Sequence, residues 1–485
     1  MDQLSPLDAA FLDAEDTDRH ASLAIASVAV IAGPPPSHEE FVATIGARLT
    51  AIRRARQKVL RVPFGLGRPV WVDDPHFEPD YHFRRTALPA PGDDTALHQL
   101  IARLMSQRLD RDRPLWENWV IEGLAGGRWA VLTKVHHCMA DGVSGTQLYR
   151  ALYDLTPHVP TASDPAAPPS WQPEPQPGTA RLLLGALADV VRSPAENVGL
   201  VVGLARSPAR AARRLADTAK GLYSLTAAVR PATATSLTGR LGQYRRYGVA
   251  RAALPALTEI ARAHGTTVND VALTAISAAL RELLLHRGET PGPTAVRTLV
   301  PVSVRVEGDE GILDNRVSLL LPFLPVDIAD PVDALGVVHA RLVEAKASRE
   351  AQAGEALTEL AGHEPFGPLS LAIRLAGRLP QRNIITVTTN VPGPPVPLYV
   401  LGRELVELLP YVPIAVRLRI GVALMTYCDH AVFGITTDYD SAPEIDLLTA
   451  AVERTITQLL ATARVRTRTR KPLAHGAGRG RGDAG

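Results

Sequence analysis

The chain has 485 residues, of which 46% are hydrophobic and 21% are charged, and 52 Lys and Arg residues nearly balance 50 Asp and Glu residues. This length predicts two or three domains with a sizeable core, and the balanced charge gives no general reason to expect nucleic-acid binding. The two cysteines, Cys138 and Cys428, disfavour a disulfide framework and fit a reducing compartment.

The first segment, about residues 1–155, mixes strand and helix patterns without a strict strand–helix–strand repeat. SLAIASVAVIA is rich in β-branched and small apolar residues and predicts a strand, and helical periodicity follows across 38–60 and 95–109. LWENWVIEGL and WAVLTKVHH then predict two successive strands, with GLAGG between them as a turn.

The middle of the chain, residues 156–239, predicts a linker followed by helices. PHVPTASDPAAPPSWQPEPQPG is too rich in proline for regular structure and predicts an exposed linker. Residues 180–230 are rich in Ala, Leu and Val with recurrent arginines, which is typical of one or two amphipathic helices. Their basic face is either the solvated side of a packed helix or a surface that rests on anionic lipid.

The second main segment, residues 240–463, again alternates helices and strands. TVNDVALTAISAALRELLLHRG predicts a helix that Thr267 caps and Gly288 ends, with Leu and Ile at helical spacing between them. The predicted strands are 295–304, 317–326, 383–388, 420–427 and 431–437. The remaining residues, 464–485, are basic and Gly-rich and predict a disordered tail.

Two adjacent histidines, His136 and His137, stand at the end of a predicted strand and precede the sequence CMADG. Because side chains alternate across a strand, neighbouring histidines point to opposite faces unless the strand breaks between them. Ligands of one metal must converge on a point, so we expect no metal here.

The same stretch has the residues for acid–base chemistry. A neutral histidine can act as a general base near neutral pH, and Asp141 and Gly142 fit a tight strand-to-helix turn that the aspartate holds. Ser144 lacks the preceding strand of a nucleophile elbow, and Cys138 faces away from its neighbour on a strand. A histidine base without a protein nucleophile suits direct attack by a substrate hydroxyl on an activated acyl group.

The stretch HHCMADG fits the HHxxxDG signature of the CoA-dependent acyltransferase superfamily. Further segments resemble the bacterial wax ester synthase/diacylglycerol acyltransferase (WS/DGAT) family, in order and over roughly residues 1–463. These segments are LSPLDAAFL, WVDDPHFEPDYHFRR, DRPLWENWVIEGL, VNDVALTAISAALR, LVPVSVR and TNVPGPPVPLYVLG. The combination of PLW, VND and NVPGP makes the resemblance specific to this family.

The resemblance implies an α/β fold of two chloramphenicol-acetyltransferase-like subdomains, with mixed sheets flanked by helices and the active site in a tunnel between them. It implies His137 as the general base, His136 as a supporting residue, Asp141 as mainly structural and Gly142 as part of the turn. The implied reaction moves a long-chain acyl group from acyl-CoA to diacylglycerol, giving triacylglycerol, or to a long-chain alcohol, giving a wax ester. Acyl-CoA is then a substrate, and no cofactor is expected.

Two further motifs each have a functional and a structural interpretation. Pro114, Leu115 and Trp116 either line the substrate tunnel or belong to the core. Asn269 and Asp270 either support the active site, with Asn269 at the developing oxyanion, or stabilise the start of a helix.

Two further features concern residues that surround the histidine motif in the family. Arg305 is a candidate partner of Asp141. Asp314-Asn315 stands where the family usually has Gly-Asn, which puts in doubt a backbone role for that glycine.

Two alternatives stay open: a condensation-type enzyme that takes its acyl group from a carrier-protein thioester, and a catalytically silent lipid-binding protein.

The acidic start lacks the features of a signal peptide, and no apolar run reaches the ~20 residues of a membrane helix. We therefore expect a cytoplasmic protein. The balanced charge noted above adds the expectation that it binds no nucleic acid. Peripheral contact with the inner membrane surface or lipid droplets is an open alternative.

Overall fold

A computed structural model describes residues 2–139, 145–158, 171–192, 232–303, 317–347, 384–415 and 417–470. Within these ranges the strands are β1 (Asp2–Gln3), β2 (Ala24–Ile31), β3 (Gln57–Leu60), β4 (Val70–Asp73), β5 (Phe83–Ala87), β6 (Trp116–Leu124), β7 (Arg128–His136), β8 (Arg245–Ala253), β9 (Val296–Ser303), β10 (Val317–Leu320), β11 (Phe323–Leu324), β12 (Thr386–Val391), β13 (Tyr399–Val400), β14 (Arg403–Tyr411), β15 (Ile420–Tyr427) and β16 (His430–Asp438). The α-helices are α1 (Pro6–Thr17), α2 (His38–Phe41), α3 (Ala47–Ala51), α4 (Pro79–His82), α5 (Asp94–Ser106), α6 (Gly145–Leu152), α7 (Thr179–Arg192), α8 (Leu254–His264), α9 (Val268–His286), α10 (Pro331–Ala347) and α11 (Ile445–Arg470).

The first half is built on a sheet with the strand order β13-β14-β2-β7-β6-β5. β2 and β7 pair antiparallel, with Ala24 opposite His136, whereas β5 runs parallel to β6. The apolar faces of these strands enclose a core that includes the fully buried side chains of Trp129, Leu132 and Ile121. This sheet sets the position of the predicted catalytic motif, because β7 leads directly into the histidines.

β14 lies in this first sheet although it comes from the second half of the chain. It pairs antiparallel with β2, with Leu408 opposite Ala29, and Leu408 and Leu409 are fully buried in the first core. The division at residue 240 assigned these residues to the C-terminal subdomain, and the local pattern had not suggested a strand there. The strand forms because its apolar side chains fill a sheet in which every member except the adjacent β13 lies hundreds of residues earlier.

The second half is built on the sheet β10-β9-β12-β15-β16-β8, with β11 also paired to β9. β12 runs parallel to β9 and to β15, and the other pairs are antiparallel. α9 packs on this sheet with Leu273, Ile276, Leu280 and Leu284 at most 1% exposed. The helix predicted from this spacing is confirmed, and so is its Thr267 cap.

A small sheet, β1-β4-β3, lies beside the first half. Helical periodicity had been predicted across residues 38–60, but α3 ends at Ala51 and Gln57–Leu60 form β3. The Gln57 amide donates to Asp73 Oδ1 at 3.0 Å in the buried pair of β3 and β4. Tertiary pairing therefore overrides the local periodicity of these residues.

The final helix extends further than its composition suggested. α11 runs to Arg470, so residues 464–470, which were expected to be part of a disordered tail, are helical. Ala463 is fully buried against the second core, and Thr467 Oγ1 donates to the Ala463 carbonyl at 2.9 Å. Among the described helices, none combines the length and apolarity needed to cross a bilayer.

Candidate active site at the histidine pair

The histidine pair lies where β7 ends. His136 is the last strand residue, and His137 begins a short 3₁₀ turn that runs to Met139. The strand predicted over WAVLTKVHH therefore ends one residue early, and it breaks between the two histidines, which is the condition under which strand alternation does not set their directions. The His136 N–H donates to the Leu115 carbonyl at 2.9 Å, and the His137 N–H donates to the Leu23 carbonyl at 3.0 Å. The residue before β6 and the residue before β2 thus hold the backbone of the two histidines.

His136 is turned into the protein and is 1% exposed. The Cys138 N–H donates to its Nδ1 at 3.2 Å, so Nδ1 accepts and the ring proton of neutral His136 lies on Nε2. Nε2 faces Glu15 Oε1 at 3.7 Å. Burial lowers the pKa of His136, which keeps this imidazole neutral at physiological pH.

Glu15 is an almost fully buried carboxylate on α1. Its Oε1 accepts the Leu23 N–H at 2.9 Å, and its Oε2 binds the Arg111 guanidinium. Burial alone raises the pKa of this carboxyl, but the contacts with His136, Arg111 and the Leu23 N–H outweigh burial and lower the pKa to about 2. Glu15 is therefore an anion behind the histidine pair, and no sequence motif had singled it out.

His137 has a different environment from that of its neighbour. Its ring is half-buried and stacks against Phe11, with the ring centroids 4.0 Å apart and the planes inclined by 32°. Burial lowers the pKa of His137 to about 4. The imidazole is therefore neutral near pH 7 and can accept a proton.

Cys138 does not compete as a nucleophile. Its side chain is 1% exposed, and burial raises its pKa, so the thiol stays protonated. This agrees with the sequence interpretation. Asp141, Gly142 and Ser144 lie outside the described residues, as do Arg305, Asp314 and Asn315.

The PLW motif lies directly beside the histidine strand. Leu115 is fully buried and its carbonyl accepts the His136 N–H, and Pro114 is also buried. Trp116 stacks on His82 with ring centroids 4.5 Å apart and donates from Nε1 to the Ala55 carbonyl at 2.7 Å. The described contacts of all three residues are those of a core segment that supports β7.

Asp270 stabilises the start of α9, as one of the two interpretations proposed. Its Oδ2 accepts the Thr267 N–H at 2.8 Å, and its own N–H donates to Thr267 Oγ1 at 3.2 Å, which completes a capping box. The same Oδ2 lies 2.8 Å from His339 Nδ1 on α10. His339 is a partner that no local sequence signal could have indicated.

Asn269 brings two of the sequence motifs together. Its Oδ1 accepts from the Asn390 Nδ2 at 3.4 Å, so VND at the start of α9 meets NVPGP at the end of β12. Gly393 in the latter motif presses against β15, where an added Cβ would come 1.9 Å from the Thr426 carbonyl oxygen. The turn therefore requires a glycine at this position.

Comparison with known proteins agrees with this architecture. Residues 4–272 match the wax ester synthase/diacylglycerol acyltransferase catalytic domain, and residues 313–460 match the WS/DGAT C-terminal domain. A probable diacylglycerol O-acyltransferase of Mycobacterium tuberculosis is 42% identical over 472 residues, which cover 97% of this chain and 98% of that protein. A putative diacylglycerol O-acyltransferase of the same species is 36% identical over 95% of this chain and 91% of its own length.

Solved structures give the same result. The wax ester synthase/diacylglycerol acyltransferase from Marinobacter aquaeolei VT8 superposes with a TM-score of 0.65 at 26% identity, over 96% of this chain and 100% of that chain. The starter condensation domain of rhizomide synthetase, at 17% identity and a TM-score of 0.55, shares the fold. The predicted α/β fold with two sheet-rich halves is confirmed, and the class of protein is an acyltransferase enzyme. Within that class, the chain belongs to the WS/DGAT family.

Proposed function

We propose that this enzyme transfers a long-chain fatty acyl group from acyl-CoA to the hydroxyl of diacylglycerol, forming triacylglycerol, or of a long-chain alcohol, forming a wax ester. Family membership and the names of the mycobacterial relatives support the donor and the acceptors. The observation that supports the mechanism best is the state of His137, a neutral, half-buried imidazole stacked on an apolar ring. No cofactor is needed, because the thioester already activates the acyl group.

In the proposed mechanism His137 removes the proton from the acceptor hydroxyl while the oxygen attacks the thioester carbonyl. The tetrahedral intermediate then collapses, the C–S bond breaks and the CoA thiolate leaves. His137 returns its proton to that sulfur, which closes the proton balance. Because burial disfavours the imidazolium, the protonated ring is a strong acid and gives up its proton readily. No metal or covalent acyl-enzyme is required.

The other motif residues receive supporting roles in this proposal. Asn269 is the candidate that stabilises the developing oxyanion, and its contact with Asn390 supports a fixed amide direction. Asp270 holds that helix start through its capping box. Leu115 supports β7 through its carbonyl, which favours a structural role for PLW over a tunnel lining.

We further propose that the enzyme is cytoplasmic and meets its water-insoluble acceptor at the surface of a membrane or lipid droplet. The loop between β3 and β4 supports such contact, because it extends Phe64 at 90% and Leu66 at 53% exposure. Phe64 adopts φ +60°, which non-glycine residues adopt rarely. Leu184 on α7 is 67% exposed as well.

α7 and this loop lie side by side. An added Cβ on Gly67 would lie 3.0 Å from the Ala186 Cβ, and Leu182 packs against Val70 and Val72 of the small sheet. The face of α7 that carries Leu182 and Ala186 therefore adjoins the loop, whereas the exposed Leu184, two residues from each, lies on a different face of the helix. The arginine-rich residues 206–214 that had suggested lipid contact lie outside the described residues.

Flotation with vesicles of phosphatidylcholine and phosphatidylglycerol tests the surface contact. The Phe64→Ser/Leu66→Ser variant should float much less than wild type. Leu285→Ser removes a leucine of similar exposure, 51%, from the other half and serves as the control. Equal flotation of all three proteins would remove this part of the proposal.

Product analysis tests the reaction itself. The enzyme is incubated with radiolabelled palmitoyl-CoA and either diacylglycerol or hexadecanol, and the lipids are separated by chromatography. Labelled triacylglycerol or wax ester is expected. Ester formed from an acyl carrier-protein thioester but not from the CoA thioester would favour a condensation-type enzyme. Acyl-CoA binding without any turnover would favour a lipid-binding protein.

A further inference from the structure

α1 reaches both members of the histidine pair from a single face. Phe11 and Glu15 are four residues apart on this helix, which places their side chains one above the other. Phe11 stacks on the His137 ring, and Glu15 faces His136 Nε2. One turn of helix therefore contacts the half-buried histidine with an apolar ring and the buried histidine with a carboxylate.

Glu15 also controls the backbone that holds His137. Its Oε1 accepts the Leu23 N–H at 2.9 Å, and the Leu23 carbonyl accepts the His137 N–H at 3.0 Å. The same Oε1 lies 3.7 Å from His136 Nε2, a charge–dipole contact that is longer than a hydrogen bond. Two short paths, one through Leu23 and one through His136, thus join this carboxylate to the turn where His137 begins.

The direction of the His136 ring depends on both of its sides. The Cys138 N–H donates to Nδ1 at 3.2 Å, so the Nε2 proton points towards the Glu15 anion. Arg111 compensates the buried negative charge at Oε2. The residues His136 to Cys138 are therefore clamped between a backbone donor and a buried anion.

We propose that Glu15 is a positioning residue for the acyl transfer, which fixes the turn His137–Met139 and hence the direction of the His137 ring. This inference rests on the proposed function of His137 as the base. Glu15 exchanges no proton with substrate in it, because its contacts are with His136, Leu23 and Arg111. Small displacements of a catalytic group can cost about a hundredfold in rate, so a loss of this support should reduce kcat.

The test compares Glu15→Gln with Glu117→Gln. A glutamine at position 15 can accept from Leu23 with its oxygen, but its NH₂ group then meets the Arg111 donors. Glu117 is also buried, pairs with Arg84 at 3.3 Å and accepts from Trp119 Nε1 at 2.9 Å. The two variants therefore suffer the same kind of donor conflict at buried positions of the first half and should lose comparable stability.

The expected result is a kcat about ten- to a hundredfold lower for Glu15→Gln, with an unchanged KM for acyl-CoA and an unchanged position of the acid limb of the pH profile. Glu117→Gln should keep the wild-type kcat per folded molecule. Glu15→Asp restores the charge and should recover part of the kcat. Wild-type kcat in folded Glu15→Gln, or an equal loss in Glu117→Gln, would overturn the inference.

Three further outcomes are distinguishable. If Glu15→Gln does not fold, Glu15→Asp decides: a lowered kcat at wild-type KM supports positioning, and a wild-type kcat overturns it. If His137→Ala keeps full activity, the proposed function fails whatever Glu15 does. If His137→Ala is inactive while Glu15→Gln is fully active, the proposed function stands and the inference about Glu15 is wrong.

Discussion

Phe11 and His137 stack with their ring centroids 4.0 Å apart, so that an apolar ring covers one face of the proposed catalytic base. The contact removes water from the imidazole and makes its charged form unfavourable. It also gives a physical reason for the position of the LSPLDAAFL segment, which forms most of α1. The neutrality of the base is therefore set in part by a residue 126 positions earlier in the chain.

Shortening Phe11 should shift the pH dependence of the reaction. In wild type, burial lowers the pKa of His137 to about 4, so kcat/KM should stay constant from pH 8 to about pH 5 and fall below it. Phe11→Ala admits water and should raise this limb towards the ordinary histidine pKa of about 6.5. Initial rates between pH 4.5 and 8 measure the shift. Phe64→Ala removes an exposed ring and should leave the limb in place, and a limb that does not move in Phe11→Ala would contradict the interpretation.

Acid should destabilise the protein partly through His82. This side chain is fully buried, stacks on Trp116, and burial lowers its pKa to about 4. The pKa of His82 is lower in the folded than in the unfolded protein. Its contribution to the free energy of unfolding is therefore complete above about pH 6.5 and is lost as the pH falls towards 4. The loss amounts to at most about 3 kcal/mol.

Denaturant titrations between pH 7.5 and 4.5 measure this loss. His82→Gln should be less stable than wild type at pH 7.5, because it loses the ring stack. Between pH 7.5 and 4.5, however, the free energy of unfolding of this variant should fall by less than that of wild type. An identical pH slope in both proteins would assign the acid sensitivity to other groups.

Removing the capping box at α9 should reduce both stability and rate. Asp270→Ala leaves the Thr267 N–H and His339 without their shared oxygen, which should cost about 1–2 kcal/mol. Because Asn269 is the adjacent residue, kcat should fall severalfold as well. Asp93→Ala removes an exposed cap from α5, where Oδ1 accepts the Ala96 N–H at 2.9 Å, and should cost about 1 kcal/mol without an effect on kcat. Equal kcat in both variants would separate Asp270 from the active site.

The stability of β14 in the first sheet should depend on Tyr247. Its hydroxyl donates to the Pro410 carbonyl at 2.8 Å inside the protein. Tyr247→Phe leaves that carbonyl without this donor and should lower the free energy of unfolding by about 1–3 kcal/mol. Tyr244→Phe, at an exposed position, should change it by less than about 0.5 kcal/mol. Equal midpoints in urea for the two variants would contradict a role of this bond in joining the halves.

Helices and strands whose bounds depend on nearby residues could be predicted from the sequence. α9 was predicted from its cap and from apolar spacing, and β15 was predicted at its observed bounds, Ile420–Tyr427. β14 was missed because its partner β2 lies more than 370 residues earlier, and side-chain pattern alone does not specify such pairing.

In the candidate site, too, the local features could be predicted and the contacts between distant residues could not. The resemblance indicated His136 and His137, and strand alternation placed them in opposite directions. The structure instead ends the strand at His136 and begins a 3₁₀ turn at His137, although the His137 N–H still donates to Leu23, the residue opposite it in the β2–β7 register. Glu15 had no signal of its own, since an acidic residue near the end of an amphipathic helix is usually solvated. Its burial becomes visible once α1 is packed against the histidine turn.

The proposed role of His137 as the general base is tested by the kcat of His137→Ala. His98→Ala is the matched control, because His98 is also half-buried and burial lowers its pKa, but it lies on α5 against Tyr247. Both variants are assayed with radiolabelled palmitoyl-CoA and diacylglycerol at equal concentrations of folded protein. We expect a kcat at least about a hundredfold below wild type for His137→Ala and near wild type for His98→Ala. Undiminished ester formation by folded His137→Ala would contradict it.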